Sequence, residues 1–515
     1  MATHAPFDCD YLVIGAGIGG LSAAALLARA GCRVTVLEAH STSGGCAGWF
    51  DRYRKAGAAP PERFRFDVGA TTVSGVEPGQ PLARLFDALG TWPTLHRVDP
   101  GMVVHVADGA RLHRWSRSEQ WIAECERFFG SEGQRGFWEG IRRVAEGGWN
   151  LSRTNPTFPP HSFGDLLGLL RPGNLPCLPL LAHIRRSVGQ TMRAFDLDRN
   201  DRFRRFIDEQ LMITAQNTSS GVPSLVGAMG LHYPASTWYV EGGMGGVVQH
   251  LETVIRNEGG DIRFKRRVTG IERQRNRWQI ATARGEHYAA NTVIANLTTP
   301  NRDTLLADGD HSTLAPLNTA KVVEAIADWW GAFTLYGAVE DVIDDGGTLY
   351  HQMHWDDAAG EGAGSIFLSL SRCGDTSRAP WGWRTFSVST HLARPWEWIQ
   401  EEADRGIPYR RRKEEVEGRM LSLLGKRIPG FAGAQKPFLY SGTPRTFLRY
   451  TGRVAGSVGG VPHDLRRRLW WMPNYRTAHP DLYTVGDTVY PGQGLPGVTL
   501  GALNLVRELT GRTFR

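Results

Sequence analysis

Gly15, Gly17 and Gly20 fall in a G-x-G-x-x-G turn, with Ala16, Ile18 and Gly19 between them. An acid, Glu38, follows about 20 residues on. The three glycines serve different ends. Gly15 permits the tight turn, Gly17 has no Cβ and lets a pyrophosphate approach the backbone, and Gly20 lets a helix pack close to a strand. The N-terminus of that helix offers free N–H groups and a partial positive charge to phosphates. Glu38 can accept hydrogen bonds from two ribose hydroxyls, and its charge opposes a 2′-phosphate, which argues against NADP here. Without strands and a helix around it, the same turn would be a glycine-rich loop that binds nothing.

The flanking residues supply that context. Residues 9–14, CDYLVI, predict a buried parallel strand. Residues 21–30, LSAAALLARA, predict a helix that Gly31 closes. Residues 33–37, RVTVL, predict a second strand ending at Glu38. A NAD domain would continue into another helix and strand. This chain instead runs through Ala39 to Gly44 and Gly45, small residues across which a flavin ribityl or diphosphate could lie. No second G-x-G-x-x-G with strand context occurs, so a separate NAD(P)H site is not expected.

The order E-x-x-x-x-x-G-G, then Phe66-Asp67-Val68-Gly69-Ala70, then VEGGMGG at 240–246 and VGD at 485–487, resembles the extended fingerprint of the FAD-dependent amine oxidase and phytoene desaturase superfamily. The resemblance implies FAD as cofactor. It implies that the backbone of Val268 meets the adenine, that Gly486 and Asp487 hold the ribityl chain, and that the turn with Leu495 and Gly497 precedes a helix beginning at Val498. Such a helix N-terminus, aimed at the isoalloxazine C2 carbonyl, would stabilise negative charge on the reduced ring.

Further blocks narrow the likeness: FDVGATTVSGVEPG at 66–79, NLTTPN at 296–301, SGTPRTFLRYTGRVAGSVGGVP at 441–462 and GDTVYPGQGLPGV at 486–498. Together they resemble the carotenoid desaturase and isomerase family, nearest to carotenoid 3′,4′-desaturases of the cyanobacterial type, with prolycopene isomerases as near relatives. Residues 48–64 depart from it and look like an insertion in a short hairpin. The resemblance implies a long polyene substrate, with Arg445, Arg449 and Gln493 on the substrate side. A quinone, which would share the bilayer with such a substrate, or oxygen is the expected electron acceptor. It implies an α/β fold: a Rossmann-like FAD domain of the amine-oxidase kind, an inserted α+β substrate domain and a helical part facing a membrane. The expected division is 1–110, 236–310 and 476–515 for the FAD domain, 111–235 for the helical region and 311–475 for the substrate sheet.

Composition fits this class. The 515 residues are 41% hydrophobic and 22% charged, with a formal net charge of +7. That excess suits an anionic cofactor or membrane surface, and no basic run is long enough to favour nucleic acid. The six cysteines are dispersed, with no C-x-x-C pair and no metal motif, as in a chain kept reduced in the cytoplasm. The N-terminus has no basic and apolar leader pattern. Residues 161–188 carry leucine clusters broken by prolines and followed by Arg185 and Arg186; they would either dip into one leaflet, placing the protein peripherally on a membrane, or line the core.

Other residues have two readings each. Trp329, Trp330, Trp396, Trp398, Trp470 and Trp471 would line a polyene tunnel or fill the core. Arg453, like Arg445 and Arg449, would approach substrate or bridge charges on a sheet surface. His105 and His232 would accept a proton or serve structure. No acid–base constellation stands out, so no catalytic residue is named. The functional expectation is flavin-dependent desaturation, with hydride passing to flavin N5, at the 3,4 position of a hydroxylated acyclic end. The rival expectations are cis–trans isomerisation with reduced flavin, a carotenoid-binding flavoprotein without catalysis and, more remotely, amine oxidation.

Overall fold

The apolar run at the start of the chain forms the strand Phe7–Ile14, and the alanine-rich segment after the glycine turn forms the helix Ile18–Arg29. In the computed structural model, which describes residues 7–55, 60–306, 326–356, 363–403, 407–467 and 472–514, every residue of that helix from Ile18 to Ala28 is buried. A helix apolar all round must sit between other elements. It packs against the helices Met244–Asn257 and Leu495–Thr510. Gly31 follows at φ +85°, the left-handed conformation that ends a helix.

The first sheet has seven strands drawn from three separated stretches of chain. Phe7–Ile14 lies between His287–Ala295 and Val34–Leu37, parallel to both, and Asp261–Arg263 extends the parallel run. Leu482–Thr484 pairs in parallel with the carboxyl half of His287–Ala295. Val268–Gln274 and Arg277–Thr282 complete the sheet as an antiparallel hairpin. Residues 260–271, one block in the sequence, therefore split between two opposite edges. The parallel strands end side by side at Gly15, Glu38, Asn296 and Val485, and ligands of open α/β sheets bind beyond such carboxyl ends.

The second sheet runs Phe438–Gly442, Trp330–Glu340, Trp383–Ala393, Ser365–Leu370, Tyr350–His354, Met102–His105 and Arg111–Arg114. Its last hairpin, Met102–Arg114, comes from before the helical region, so the expected boundary at residue 110 falls inside this hairpin. The hairpin belongs with the second sheet because Met102–His105 pairs in parallel with Tyr350–His354. Between the hairpin and the first sheet's return lie the helices Ser118–Phe129, Gln134–Thr154, Asp201–Ala215 and Ser224–His232, cored by Trp121, Phe137, Trp138, Phe203 and Phe206. Gly148 lets Gln134–Thr154 sit on Ser224–His232: a Cβ there would come within 2.8 Å of Met229 Sδ.

A buried ion pair ties the two sheets together. The Asp67 carboxylate accepts from the Met244 backbone N–H at 2.8 Å and from Arg378 Nη1 at 2.7 Å. Arg378 Nε donates to the Arg65 carbonyl at 3.0 Å. Asp67 of the F-D-x-G block is thus a clamp between the hairpin Trp49–Asp67, the glycine turn before Met244 and the loop before Trp383. Among the described residues no helix is long and apolar enough to cross a membrane.

Candidate functional site

One cavity of about 1460 Å³ runs from the glycine turn to a face of the second sheet. At the glycine turn its wall is backbone. Gly15 stands at φ +95°, and its N–H donates to the Leu37 carbonyl. A Cβ on Gly20 would lie 2.4 Å from the Gly15 oxygen, which is why helix and strand can meet so closely. Asn296, at the end of its strand, fills the space behind the turn: Cβ atoms at Gly15, Gly17, Gly19 and Gly20 would all meet it. The Glu38 carboxylate accepts from the backbone N–H groups of Ala16 and His40, both at 2.7 Å, and borders the cavity beside Ala39. Two N–H bonds leave lone pairs on a carboxylate free for hydroxyl donors.

The loop after Glu38 folds back onto the turn. Gly44 at φ +110° donates to the Ala16 carbonyl at 2.7 Å and forms a bridge with Gly17. The next segment lies over it in turn, with Val68 N–H on the Gly48 carbonyl and Ala70 N–H on the Cys46 carbonyl, both at 3.1 Å. A Cβ on Gly69 would sit 2.6 Å from that Cys46 oxygen. Burial pushes the Cys46 thiol above its ordinary range. The cavity therefore brings together Gly15, Gly17, Ile18, Gly19, Glu38, Ala39, Gly44, Gly45, Val68, Gly69, Ala70, Val268, Gly486, Asp487, Leu495, Gly497 and Val498, whereas Ala16 and Gly20 lie behind its wall.

Asp487 faces Arg453, 3.0 Å away, and both side chains are largely buried. Arg453 also donates to the Ser457 carbonyl at 2.8 Å. The three arginines of the RYTGR segment thus separate. Arg453 lines the cavity, whereas Arg445 and Arg449 sit on the exposed side of the short helix Pro444–Thr451, away from the lining. Gln493 lines the cavity and donates to the Ile213 carbonyl at 3.2 Å. The N-terminus of Leu495–Thr510 opens toward the same space, where Gly497 is needed because a Cβ would meet the Gly492 oxygen at 2.5 Å.

Beyond the turn the wall changes to side chains. Met212, Val226, Met229 and Tyr233 face it from the helical layer, and Thr334 and Phe367 from the second sheet. The tryptophans singled out in the sequence are elsewhere. Trp398 is fully buried in the second sheet's own core and Trp329 in a small cluster beside it; neither these nor Trp330 and Trp396 line the cavity. Trp470 and Trp471 lie outside the described residues. Trp49 and Trp149 do border the cavity. His105 lies outside it, its Nε2 3.1 Å from His351 Nδ1, and burial lowers it to about 3. His232 is outside too, lowered to about 4 by burial and by Arg114. Tyr336, whose hydroxyl donates to the Val68 carbonyl at 2.5 Å, had no sequence signal, because its strand is buried on both faces and shows no alternation.

The comparisons agree with this geometry. Residues 13–89 match the NAD(P)-binding Rossmann-like domain. The chain is 29% identical to the chloroplastic prolycopene isomerase of Arabidopsis thaliana, over 96% of this chain and 81% of that protein. It is 26% identical to the lycopene-forming phytoene desaturase of Pseudescherichia vulneris, over 95% and 97%. Over nearly its whole length the chain is thus similar to carotenoid isomerases and desaturases. The likeness reaches further in structure than in sequence: cyclohexylamine oxidase from Brevibacterium oxydans superposes over 98% of this chain and 100% of its own, with a TM-score of 0.57 at 16% identity. In this chain the Rossmann-like unit carries the glycine turn, and the second sheet supplies the opposite wall of the cavity.

Proposed function

We propose that this protein is an FAD-dependent carotenoid desaturase that introduces a C=C bond into a long polyene, at the 3,4 position of an acyclic hydroxylated end. One observation carries the reading: the backbone-walled turn and the apolar chamber are a single cavity. The residues present fit a flavin dinucleotide. The glycine turn lies at the carboxyl ends of parallel strands, Glu38 stands where a ribose would need an acceptor, and the helix Leu495–Thr510 points its N-terminus into the other end of the same space. Bound there, FAD supplies the two-electron acceptor that removal of hydrogen from an unactivated C–C bond requires.

The chain's own residues orient and shield. Met212, Val226, Met229 and Phe367 give a polyene an apolar bed and keep water from it. The positive end of the helix Leu495–Thr510 favours negative charge beside it. Glu38 and the Gly17–Gly44 bridge hold the dinucleotide end fixed.

A polyene lives in a bilayer, and the surface offers a docking zone. Phe163 and Leu170 are 75% and 67% exposed, and Leu167, Leu175, Leu178 and Leu181 are about half exposed along the same stretch, with Arg171, Arg185 and Arg186 beside them. This supports peripheral contact with a membrane, where a quinone is the nearest acceptor and oxygen the alternative.

A second reading, cis–trans isomerisation without net redox change, is favoured by the 29% identity to a prolycopene isomerase. Purified protein reconstituted with FAD, liposomes and acyclic carotenoids separates the two. Desaturation gives a product two hydrogens lighter that absorbs at longer wavelength. Isomerisation gives unchanged mass and altered retention. Protein that takes up no flavin rejects both.

A further inference from the structure

The register of the second sheet lays out the cavity face row by row. Trp330–Glu340 pairs with Trp383–Ala393 so that Tyr336 faces Ser387, Thr334 faces Ser389 and Ala332 faces His391. Ser365–Leu370 continues the rows, with Ser369 opposite Ser387 and Phe367 opposite Ser389. Carrying that register on sets Ser365 opposite His391. The first row is closed by the loop after Asp67: Tyr336 donates to the Val68 carbonyl, Ser387 Oγ to the Asp67 carbonyl, and Ser369 Oγ bonds Thr71 Oγ1. The last row lies about 13 Å further along the strands and borders the open cavity through Ala332, His391 and Ser365.

This last row brings a histidine and a serine to the lining of the chamber. Ser365 Oγ donates to a Glu209 carboxylate oxygen at 2.7 Å, and the other Glu209 oxygen accepts from the Gly364 N–H at 3.0 Å. Gln352 Nε2 donates to Ser365 Oγ at 3.1 Å. Ser365 and Glu209 are thus occupied with each other. His391 is not. Its ring meets the edge of Trp330, and among the described residues neither ring nitrogen has a hydrogen-bond partner. Burial lowers it to about 4, so at neutral pH it presents one N–H and one lone pair. Half-buried and open to the cavity, such a ring is placed to pair with a polar group of a ligand that enters there.

We propose that His391 is the specificity-determining residue of the cavity, pairing with an oxygen function, a hydroxyl above all, on the end of the bound polyene. A hydroxyl can either accept from the imidazole N–H or donate to the lone pair of the other ring nitrogen, and a hydrocarbon end can do neither. Glu209 and Ser365 act as positioning residues, fixing the neighbouring strand against the helix Asp201–Ala215. The inference rests on the polyene reading above and deepens it by naming the residue that discriminates among polyenes.

The test uses the whole flavin-loaded protein in detergent micelles, with two probes: an acyclic polyene hydrocarbon and the same chain with one terminal hydroxyl. Binding is read from the shift of the polyene absorption, without turnover. The expected result is about tenfold tighter binding of the hydroxylated probe, loss of that preference in His391→Phe, and its partial return in His391→Gln, which keeps a donor and an acceptor. A preference that survives His391→Phe overturns the proposal. So does an equal loss of affinity for both probes, the mark of a structural role, or unchanged binding with an equal fall in kcat on both. Wild-type protein that binds both probes equally overturns the assignment of His391 alone. Wild-type protein that binds neither removes the polyene reading and this inference together.

Discussion

At the glycine turn the cavity is walled by backbone, and at the second sheet it is walled by side chains. The turn tolerates almost no change because neighbouring main-chain atoms already stand where any Cβ would go, as at Gly20 and Gly69. The sheet face tolerates exchange of shape, because Phe367, Thr334 and Ala332 project into open space from a scaffold that the rest of the sheet holds in place. A cofactor common to many reactions calls for the first kind of wall, and selection among similar long substrates calls for the second.

Acid should break the comparison most strongly. The second sheet carries His105, His351 and His354, each lowered to about 3 by burial, and His391, lowered to about 4. Among the described residues the strands of the first sheet bury no histidine. Folded values below the ordinary 6.5 mean that the unfolded chain binds more protons, so this stability is complete above about pH 6.5 and is lost as pH falls toward 4. Each such histidine contributes about 1.4 kcal/mol per pH unit in that window. Hydrogen exchange should show the second sheet losing protection before the strands around the glycine turn; simultaneous loss would mean that the two walls are one cooperative unit.

The clamp between the walls comes next. Asp67→Ala strands the Arg378 charge, whose side chain is 4% exposed, and should cost about 3–5 kcal/mol in denaturant unfolding. Adding Arg378→Met to Asp67→Ala should recover part of that loss. Gly20→Val should cost about 1–3 kcal/mol by overpacking and lower the flavin content of purified protein. Phe367→Ala sharpens the contrast: flavin content should stay unchanged while KM for a polyene rises. The smallest effect on stability belongs to Leu167→Ser with Leu170→Ser, within about 0.5 kcal/mol because both are exposed. Vesicle co-sedimentation should nevertheless fall.

The strand–turn–helix around Gly15 was legible in the sequence, down to the closing Gly31, because local periodicity and glycine spacing encode it directly. The helix Leu495–Thr510 began three residues before the expected start at Val498, since Pro496 fits the first helical turn. The arginines of the RYTGR segment could not be told apart by spacing. Arg453 reaches Asp487 while Arg445 and Arg449 face outward, and that depends on how the short helix Pro444–Thr451 lies against the cavity. The tryptophan pairs left a similar choice open, and Trp329 and Trp398 are core: an aromatic pair announces burial, not which buried space it borders.

By itself the sequence determined the dinucleotide half of this protein. A turn that only glycine can make, a helix apolar on every side and an acid at a strand end are local facts, and local chemistry fixes them. The tertiary structure alone decided the other half. His391, Ser365 and Thr334 come from three different strands and share a face only through the register of the second sheet, and no spacing along a single strand records which residues its neighbours will set beside it.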